Sequence, residues 1–171
     1  MNSKDSNQFH GQIIHAGAEQ VKLPDGRIML MDVVHHPGGA AVVTLDEQQR
    51  VCLLRQYRGV MDEWLWELPA GKIDHQEPPL DTARRELQEE AGVTARQWLE
   101  LGLSLSSPGV FSEKVWLYLA QELQPCAQQP EEYEIFERHW IEFEEALGWA
   151  KSGKINDAKT VVGLFRAASC L

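Results

Sequence analysis

The sequence predicts an α+β fold, an α/β/α sandwich in which a mixed β-sheet lies between helices. Two observations lead to this prediction. Strand-like runs lie on both sides of one strongly periodic helical segment, and two further helical segments close the chain. The chain has 171 residues, 43% of them apolar and 25% charged, which is enough for one core without disulfides or structural metals.

Near the N-terminus, three short strand-like runs predict an antiparallel β-meander. They are residues 12–15, 19–23 and 28–36. A turn signal at residues 24–27 separates the last two, and residues 37–39 end the third. We therefore expect N-terminal strands in residues 1–37 and a main domain in residues 38–171.

The main domain alternates between strand and helix signals. Strands are predicted at residues 40–45, 51–57, 98–105, 114–123 and 133–143, with a polar loop at 124–132. Helices are predicted at residues 78–91, 144–151 and 157–168. Gly92 suits the C-terminal cap of the first helix, and Asn156 and Asp157 suit the start of the last.

The charge balance limits the class of ligand. The net charge is -10 and the pI is near 5.0, so the long-range field repels polyanions and we expect no nucleic-acid partner. A small anionic substrate requires divalent cations and a few Arg or Lys residues to offset the local negative potential. No apolar run approaches the roughly 20 residues that span a bilayer, so we expect no membrane partner.

The cysteines and the N-terminus indicate a cytoplasmic protein. Cys52, Cys126 and Cys170 are odd in number, widely separated and without a C-x-x-C pair, so we expect neither a disulfide framework nor a zinc site. Residues 1–8 are polar and carry no apolar core like that of a signal peptide.

Three glutamates in the first predicted helix form the strongest candidate site. Glu86, Glu89 and Glu90 are spaced i, i+3 and i+4, which places their carboxylates on one helical face. Like charges at this spacing repel, whereas hard divalent cations prefer carboxylate oxygens and reverse the sign of the local field. A Mg²⁺ site explains the arrangement, and a solvated acidic face is the ordinary alternative.

The surrounding residues complete a Nudix box. Its order is Gly71, five residues, Glu77, seven residues, Arg85-Glu86-Leu87, one residue, Glu89-Glu90, one residue, Gly92. The chain is therefore identified as a member of the Nudix hydrolase family. This resemblance implies the Nudix fold and hydrolysis of a phosphoanhydride bond with Mg²⁺, for which Mn²⁺ can substitute.

The resemblance also implies roles for the residues of the box. Glu86 and Glu90 ligate metal, Glu89 assists catalysis or ligates a further ion, and the carbonyl of Ala70 joins them. The remaining positions support the motif, and they are Gly71, Glu77, Arg85 and Gly92. A pair formed by the arginine and Glu77 would hold the loop between Gly71 and Glu77 against the helix.

Three flanking features resemble the ADP-ribose pyrophosphatase subfamily. Pro108 lies 16 residues beyond Gly92, residues 66–74 resemble the segment that enters the box, and residues 153–160 resemble the entry to the last helix. The resemblance implies cleavage of ADP-ribose or a related nucleotide sugar to a nucleoside monophosphate and a sugar phosphate. GDP-mannose or another nucleotide sugar remains an alternative substrate. A non-catalytic nucleotide-sugar sensor is the alternative of another class, although the complete box argues against it.

Candidates for catalysis outside the box also come from the resemblance. The subfamily places further glutamates in a loop after the box, which implies Glu132 as general base and Glu134 as a second catalytic or ligating acid. Glu113, after Pro108, is the alternative base. An ordinary exposed loop acid remains the alternative for each of them.

Substrate-binding candidates precede the box. Arg55 and Arg58 suit a diphosphate or a terminal ribose, with a surface pair of ion-paired arginines as the alternative. Glu67 and Pro108 join them through the flanking segments that resemble the subfamily. An aromatic residue is expected to stack on the base, and the candidates are Phe9, Trp64, Trp66 and Phe111. The pair His35-His36 lacks a third metal ligand, so we expect it at a strand end without a catalytic part.

The N-terminal strands are a candidate dimerisation element. In the ADP-ribose subfamily these strands commonly form a homodimer whose two subunits build each substrate site, and the resemblance implies the same here. A short isolated meander also needs a partner surface to be stable.

Overall fold

The computed structural model describes residues 8–128 and 134–171. Its elements, in chain order, are β1 (Phe9–His10), β2 (His15–Lys22), β3 (Ile28–His35), β4 (Gly39–Thr44), β5 (Arg50–Arg58), β6 (Glu63–Glu67), β7 (Ala70–Lys72), α1 (Pro79–Ala91), β8 (Val93–Leu105), β9 (Lys114–Pro125), β10 (Phe136–Glu142), α2 (Phe143–Ser152) and α3 (Ala158–Ala168). In this part of the chain they form three helices and three sheets.

A four-stranded mixed sheet in the order β7-β4-β9-β8 lies at the centre of the molecule. Strands β4 and β9 are parallel, and the other pairs are antiparallel. Strand β4 is buried along its whole length. Its Ala41 and Val43 pack in the cluster that contains Leu164 of α3, whereas Val42 packs with Leu87 of α1 on the other face. The predicted sandwich, with a mixed sheet between helices, is therefore confirmed.

A second sheet, in the order β10-β5-β6, is antiparallel and shares both hydrophobic clusters. Leu53 of β5 packs in the cluster with α3, and Cys52 and Leu54 pack in the cluster with α1. The strand has no polar face over this stretch because apolar groups cover both of its sides. The C-terminal end of β5 leaves this core and carries Arg58 to a cavity.

The N-terminal strands form the third sheet, antiparallel in the order β1-β2-β3, so the predicted meander is confirmed. Its first predicted strand, at residues 12–15, was wrong, because residues 12–14 are not strand and β1 lies before them at Phe9–His10. It joins the rest of the chain through Val34, whose N–H donates to the carbonyl of Val110 at 2.7 Å and whose carbonyl accepts from Ser112 at 2.9 Å. Ile28 and Leu30 of β3 are each 67% exposed. Among the described residues, no helix is long and apolar enough to cross a membrane.

The predicted caps of the helices agree with the structure. Pro79 begins α1, and Gly92 ends it in the left-handed conformation with φ 65°, where a glycine has no steric penalty. At the start of α3, one carboxylate oxygen of Asp157 accepts the backbone N–H of Thr160.

Several predicted strand bounds were wrong. Strand β8 begins at Val93, five residues before the predicted strand, and β9 continues to Pro125 into the predicted polar loop. Strands β6 and β7 were not predicted. The polar start of β8 lacks a hydrophobic pattern, and its strand conformation comes from the register with β9, so tertiary pairing overrides local propensity.

Candidate active site

The face of α1 that carries the acidic residues is turned toward the protein. Glu86 and Glu90 are only 6% and 1% exposed and lie among the apolar residues of the same face. Glu89, one position before Glu90, retains 27% of its side-chain exposure. For Glu86 and Glu90 the alternative of a solvated acidic face is therefore excluded.

Strand β7 holds these two carboxylates in place. The backbone N–H of Ala70 donates to Oε2 of Glu90 at 2.7 Å. Gly71 lies directly against Glu86, and a Cβ at this position would overlap the Glu86 carboxylate. A glycine is thus required because helix α1 and strand β7 approach so closely that the carboxylate fills the space of a side chain.

Arg85 ties the loop after β7 to the helix. Its Nη2 donates to the carbonyl of Lys72 and to Oε1 of Glu77, both at 3.1 Å. Its Nη1 donates to Oε1 of Glu86 at 2.6 Å and to Oε2 of Glu89 at 3.0 Å. Thr82 adds a hydrogen bond to Glu77 at 2.9 Å. One guanidinium therefore contacts both the supporting loop, at Lys72 and Glu77, and two acids of helix α1.

The site is short of positive charge. Burial raises the pKa of Glu86 to about 7, against the opposing charge and hydrogen bond of Arg85. Burial and the neighbouring charges of Glu86 and Glu134 raise the pKa of Glu90 well above its ordinary value, with the Ala70 N–H opposing. Oε1 of Glu90 is buried and has no hydrogen-bond partner among the described residues.

These residues fit a hard divalent cation. The orphaned Oε1 of Glu90 and the carboxylate of Glu86 supply oxygen donors of the kind that Mg²⁺ prefers. As the side chains of residues 8–128 and 134–171 lie, no three His, Cys, Asp or Glu groups converge as a ligand set. Arg85 engages oxygens of Glu86 and Glu89 in this arrangement.

A cavity of about 530 Å³ opens beside these acids. Its walls come from β7, the end of β5, the segment before β9 and the start of α3. Predicted site residues on its surface are Arg58, Ala70, Gly71, Glu86, Glu113 and Glu134. The structure thus brings the box together with Arg58 and with two of the candidate acids outside it.

Other predicted site residues lie away from this cavity. Arg55 stacks over Trp64 at 5.4 Å from the ring centroid and pairs with Glu137 at 3.6 Å. Pro108 lies in an exposed turn. Glu132 falls outside the described residues.

The aromatic candidates do not line the cavity in the described part of the chain. Trp66 packs against Trp149, with ring centroids 5.1 Å apart, and Phe111 packs edge-on against His36 at 5.4 Å. Phe9 is exposed on the N-terminal sheet. None of these contacts is with a residue of the box.

Glu67 lies behind Arg58 and is 1% exposed. Nε and Nη2 of Arg58 donate to its two oxygens, each at 2.7 Å. Burial by itself would raise the pKa of Glu67, but the hydrogen bonds and charges of Arg58 and Lys159 outweigh it and lower the pKa to about 2. Glu67 is buried and thus contacts Arg58 on the side of the guanidinium that faces the protein interior.

Six polar or charged cavity residues were not predicted as site residues. They are His36, Gln56, Lys72, Ser106, Asp157 and Lys159. Nδ1 of His36 accepts the backbone N–H of Gly38 at 3.0 Å and lies 3.4 Å from Glu113. The resemblance of residues 153–160 to a subfamily segment was the available signal for Asp157 and Lys159, but it carried no role for either.

The fold and the site define a class of protein in which buried helix carboxylates lie beside a cavity lined by both acidic and cationic side chains. Comparison with known proteins gives the family. Residues 35–162 match the NUDIX domain family. The chain belongs to the Nudix family, and it is a hydrolase of this type, so the predicted family, fold and enzyme class are confirmed.

Curated relatives cover most of the chain. It is 34% identical to the ADP-ribose pyrophosphatase of Bacillus subtilis (strain 168), over 91% of this chain and 85% of the relative. It is 35% identical to the ADP-ribose pyrophosphatase of Mycobacterium tuberculosis, over 87% of this chain and 72% of the relative. It is also 32% identical to the methanol dehydrogenase activator of Bacillus methanolicus, over 94% and 88%.

Among solved structures, the crystal structure of an ADP compounds hydrolase superposes with a TM-score of 0.79. The match covers 95% of this chain and 89% of the other, at 21% sequence identity. It supports the fold.

Proposed function

We propose that the protein hydrolyses the pyrophosphate bond of ADP-ribose, giving AMP and ribose 5-phosphate. The observation that carries this proposal is the pair of buried carboxylates, Glu86 and Glu90, of which Glu86 lines the same cavity as Arg58. The relatives named as ADP-ribose pyrophosphatases support the substrate, because two of them are at least 34% identical over most of this chain.

The acids of the box and Arg58 have separate roles in the proposal. Glu86, Glu90 and the carbonyl of Ala70 would hold Mg²⁺, with Glu89 serving a further ion and Mn²⁺ able to substitute. When bound, the metal offsets the charge of the diphosphate and activates a water. Arg58 donates from its guanidinium to substrate oxygens.

A carboxylate outside the box takes the proton from the attacking water in this proposal. Glu134 lines the cavity, and its charge acts on both Glu86 and Glu90. Glu113 lines the same cavity and is the alternative base. Glu132, which the resemblance favours as the base, lies outside the described residues. Replacing each of the three by Gln and comparing kcat separates them, because loss of the base lowers kcat by about 100-fold or more.

The N-terminal sheet is proposed as the interface of a homodimer, and residues 38–171 as the Nudix domain. The exposure of Ile28 and Leu30 supports this, because large apolar side chains on a sheet favour burial against a partner. The three cysteines are unpaired, which supports the proposal of a reducing, cytoplasmic environment.

A substrate panel tests the proposed reaction. Purified protein is incubated with Mg²⁺ and, separately, ADP-ribose, GDP-mannose, ADP-glucose, NADH or a diadenosine polyphosphate, and the products are separated by chromatography. Preferential release of AMP from ADP-ribose supports the proposal. Preference for GDP-mannose keeps the chemistry and changes the substrate, whereas tight binding of ADP-ribose without cleavage of any compound supports a sensor.

A further inference from the structure

Four charged side chains connect Arg58 to the start of helix α3. They alternate in sign, in the order Arg58, Glu67, Lys159 and Asp157. Nζ of Lys159 lies 2.5 Å from Oε2 of Glu67 and 3.0 Å from Oδ1 of Asp157. The set is neutral as a whole, and its three ion pairs are partly shielded from water.

The far end of this network is rigid. Oδ2 of Asp157 accepts the N–H of Thr160 at 3.0 Å and its hydroxyl at 2.6 Å, so the carboxylate is fixed by the cap of α3. Oγ1 of Thr160 in turn accepts the N–H of Leu68 at 2.8 Å. Leu68 follows Glu67 directly in sequence, so the start of α3 is joined to this segment through backbone and side chain.

The near end of the network faces the cavity. Glu67 engages Arg58 through Nε and Nη2, which fixes the plane of the guanidinium. A guanidinium has five N–H groups, so the two bonds to Glu67 leave three for other acceptors. Arg58 and Lys159 both line the cavity, and 19% of the Lys159 side chain remains exposed.

We propose that Lys159 is a positioning residue that, through Glu67, holds Arg58 in the orientation that binds substrate. This rests on the proposed function, in which Arg58 contacts the substrate. Without the lysine charge, the two carboxylates of Glu67 and Asp157 outnumber the single cation of Arg58. This wall of the cavity then carries a net negative charge, which repels an anionic diphosphate. Removing Lys159 therefore weakens substrate binding more than it slows the chemical step.

Kinetics of matched variants test this role. In K159M, KM for ADP-ribose rises about 10-fold while kcat changes less than about 2-fold, as expected for a weakened charged contact in binding. K159R keeps the charge and restores most of the affinity. K151M, at an exposed lysine of α2, matches wild type and serves as the control. K159Q, which keeps a hydrogen-bond donor, replaces K159M where the latter does not fold.

Three kinetic results would contradict the positioning role of Lys159. An unchanged KM in K159M, a fall in kcat with an unchanged KM, or equal loss in K159M and K159R overturns the positioning role. Thermal unfolding of each variant is measured in parallel, so that a general loss of folded protein is separated from a loss of affinity.

A second measurement does not depend on the substrate. The ¹⁵N-labelled protein is expected to show a slowly exchanging Nε–H signal from Arg58, because this proton is hydrogen-bonded to the buried carboxylate of Glu67. The signal is assigned by its loss in R58K. In K159M the signal shifts or exchanges faster. An unchanged signal overturns the proposal even where ADP-ribose is not the substrate, and a wild-type protein that cleaves no ADP-ribose overturns only the proposed function.

Discussion

The ionised form of Glu90 is disfavoured because its carboxylate is buried next to another acid. Burial and the neighbouring Glu86 raise its pKa, so an ionised Glu90 costs folding free energy at neutral pH. Glu90→Gln keeps the shape and the acceptor for the Ala70 N–H. We predict a thermal midpoint equal to or above that of wild type, with kcat reduced by about 100-fold or more, as expected on loss of a metal ligand.

The control for this prediction is E145Q, at an exposed glutamate of α2, which retains full activity. Steady-state kinetics and calorimetry measure the two effects separately. Normal turnover in E90Q would refute the metal-binding role of Glu90.

Glu67 makes the stability of the protein dependent on acid pH. Its pKa is lowered from 4.5 to about 2 in the folded protein, so its stabilising contribution is complete above the unfolded value. The contribution is lost as the pH falls from about 4.5 through about 2. We predict that the difference in unfolding free energy between wild type and E67Q shrinks by about 3 kcal/mol across this range.

Urea unfolding at a series of pH values measures this difference. E63Q, at an exposed position of the same strand, is the matched control and follows wild type at every pH. A difference between wild type and E67Q that stays constant with pH would contradict the lowered pKa.

Individual site residues were predictable where local periodicity determines their position. The spacing of Glu86 and Glu90 places both on one face of a helix, and the structure has both on the face turned toward β7. Arg55 and Arg58 are three residues apart on a strand, so they point to opposite faces, and only Arg58 lines the cavity. The contact between Lys159 and Glu67 spans 92 residues, and only the tertiary fold brings them together.

At the scale of elements, two glycines inside helices have opposite effects. A Cβ at Gly148 of α2 meets no atom within 4 Å. A Cβ at Gly163 of α3 would lie 2.7 Å from Cδ1 of the buried Leu68 and 3.3 Å from Cγ2 of Val43. Open space favours alanine in the first helix, whereas close packing requires glycine in the second.

We therefore predict opposite changes in stability for the two alanine variants. G148A gains about 0.5–1 kcal/mol, since alanine has the higher helix propensity. G163A makes the same gain but loses about 1–3 kcal/mol to overpacking, so it is destabilised overall. Chemical denaturation of both variants measures the difference in unfolding free energy. Stabilisation by G163A would contradict the close packing of α3 against Leu68 and Val43.

Elements with a strong hydrophobic pattern were predicted, and those without it were not. The sequence predicts α1, β4 and β5 because buried apolar positions recur at helical spacing or in continuous runs. Strand β7 is three residues long and lies inside the box, where its conformation follows from pairing with β4. Such short strands have too few residues to show a period.

At the scale of the whole molecule, charge is distributed unevenly. The chain carries a net charge of -10, yet Arg58, Lys72 and Lys159 all line the cavity. Three cationic side chains therefore lie where an anionic substrate would bind, among the acids Glu86, Glu113, Glu134 and Asp157 of the same cavity, while the net charge of the chain repels polyanions such as nucleic acid. The overall charge could be predicted from composition, but the grouping of these three cations at one cavity depends on the fold.

The N-terminal sheet provides the last prediction, which concerns assembly. Ile28 and Leu30 are two residues apart on β3, so their side chains share one face, and each is 67% exposed. We predict that the wild-type protein is a dimer in light scattering coupled to size exclusion. Leu30→Glu places a charge in the proposed interface and yields a monomer, because an unpaired buried charge is costly. L171E, at an exposed apolar residue far along the chain, remains dimeric.

A monomeric wild-type protein would contradict the proposed dimer, and a dimeric L30E would place the interface elsewhere. The affinity of L30E for ADP-ribose is measured as well. A loss of affinity that accompanies dissociation would indicate that the second subunit contributes to each site.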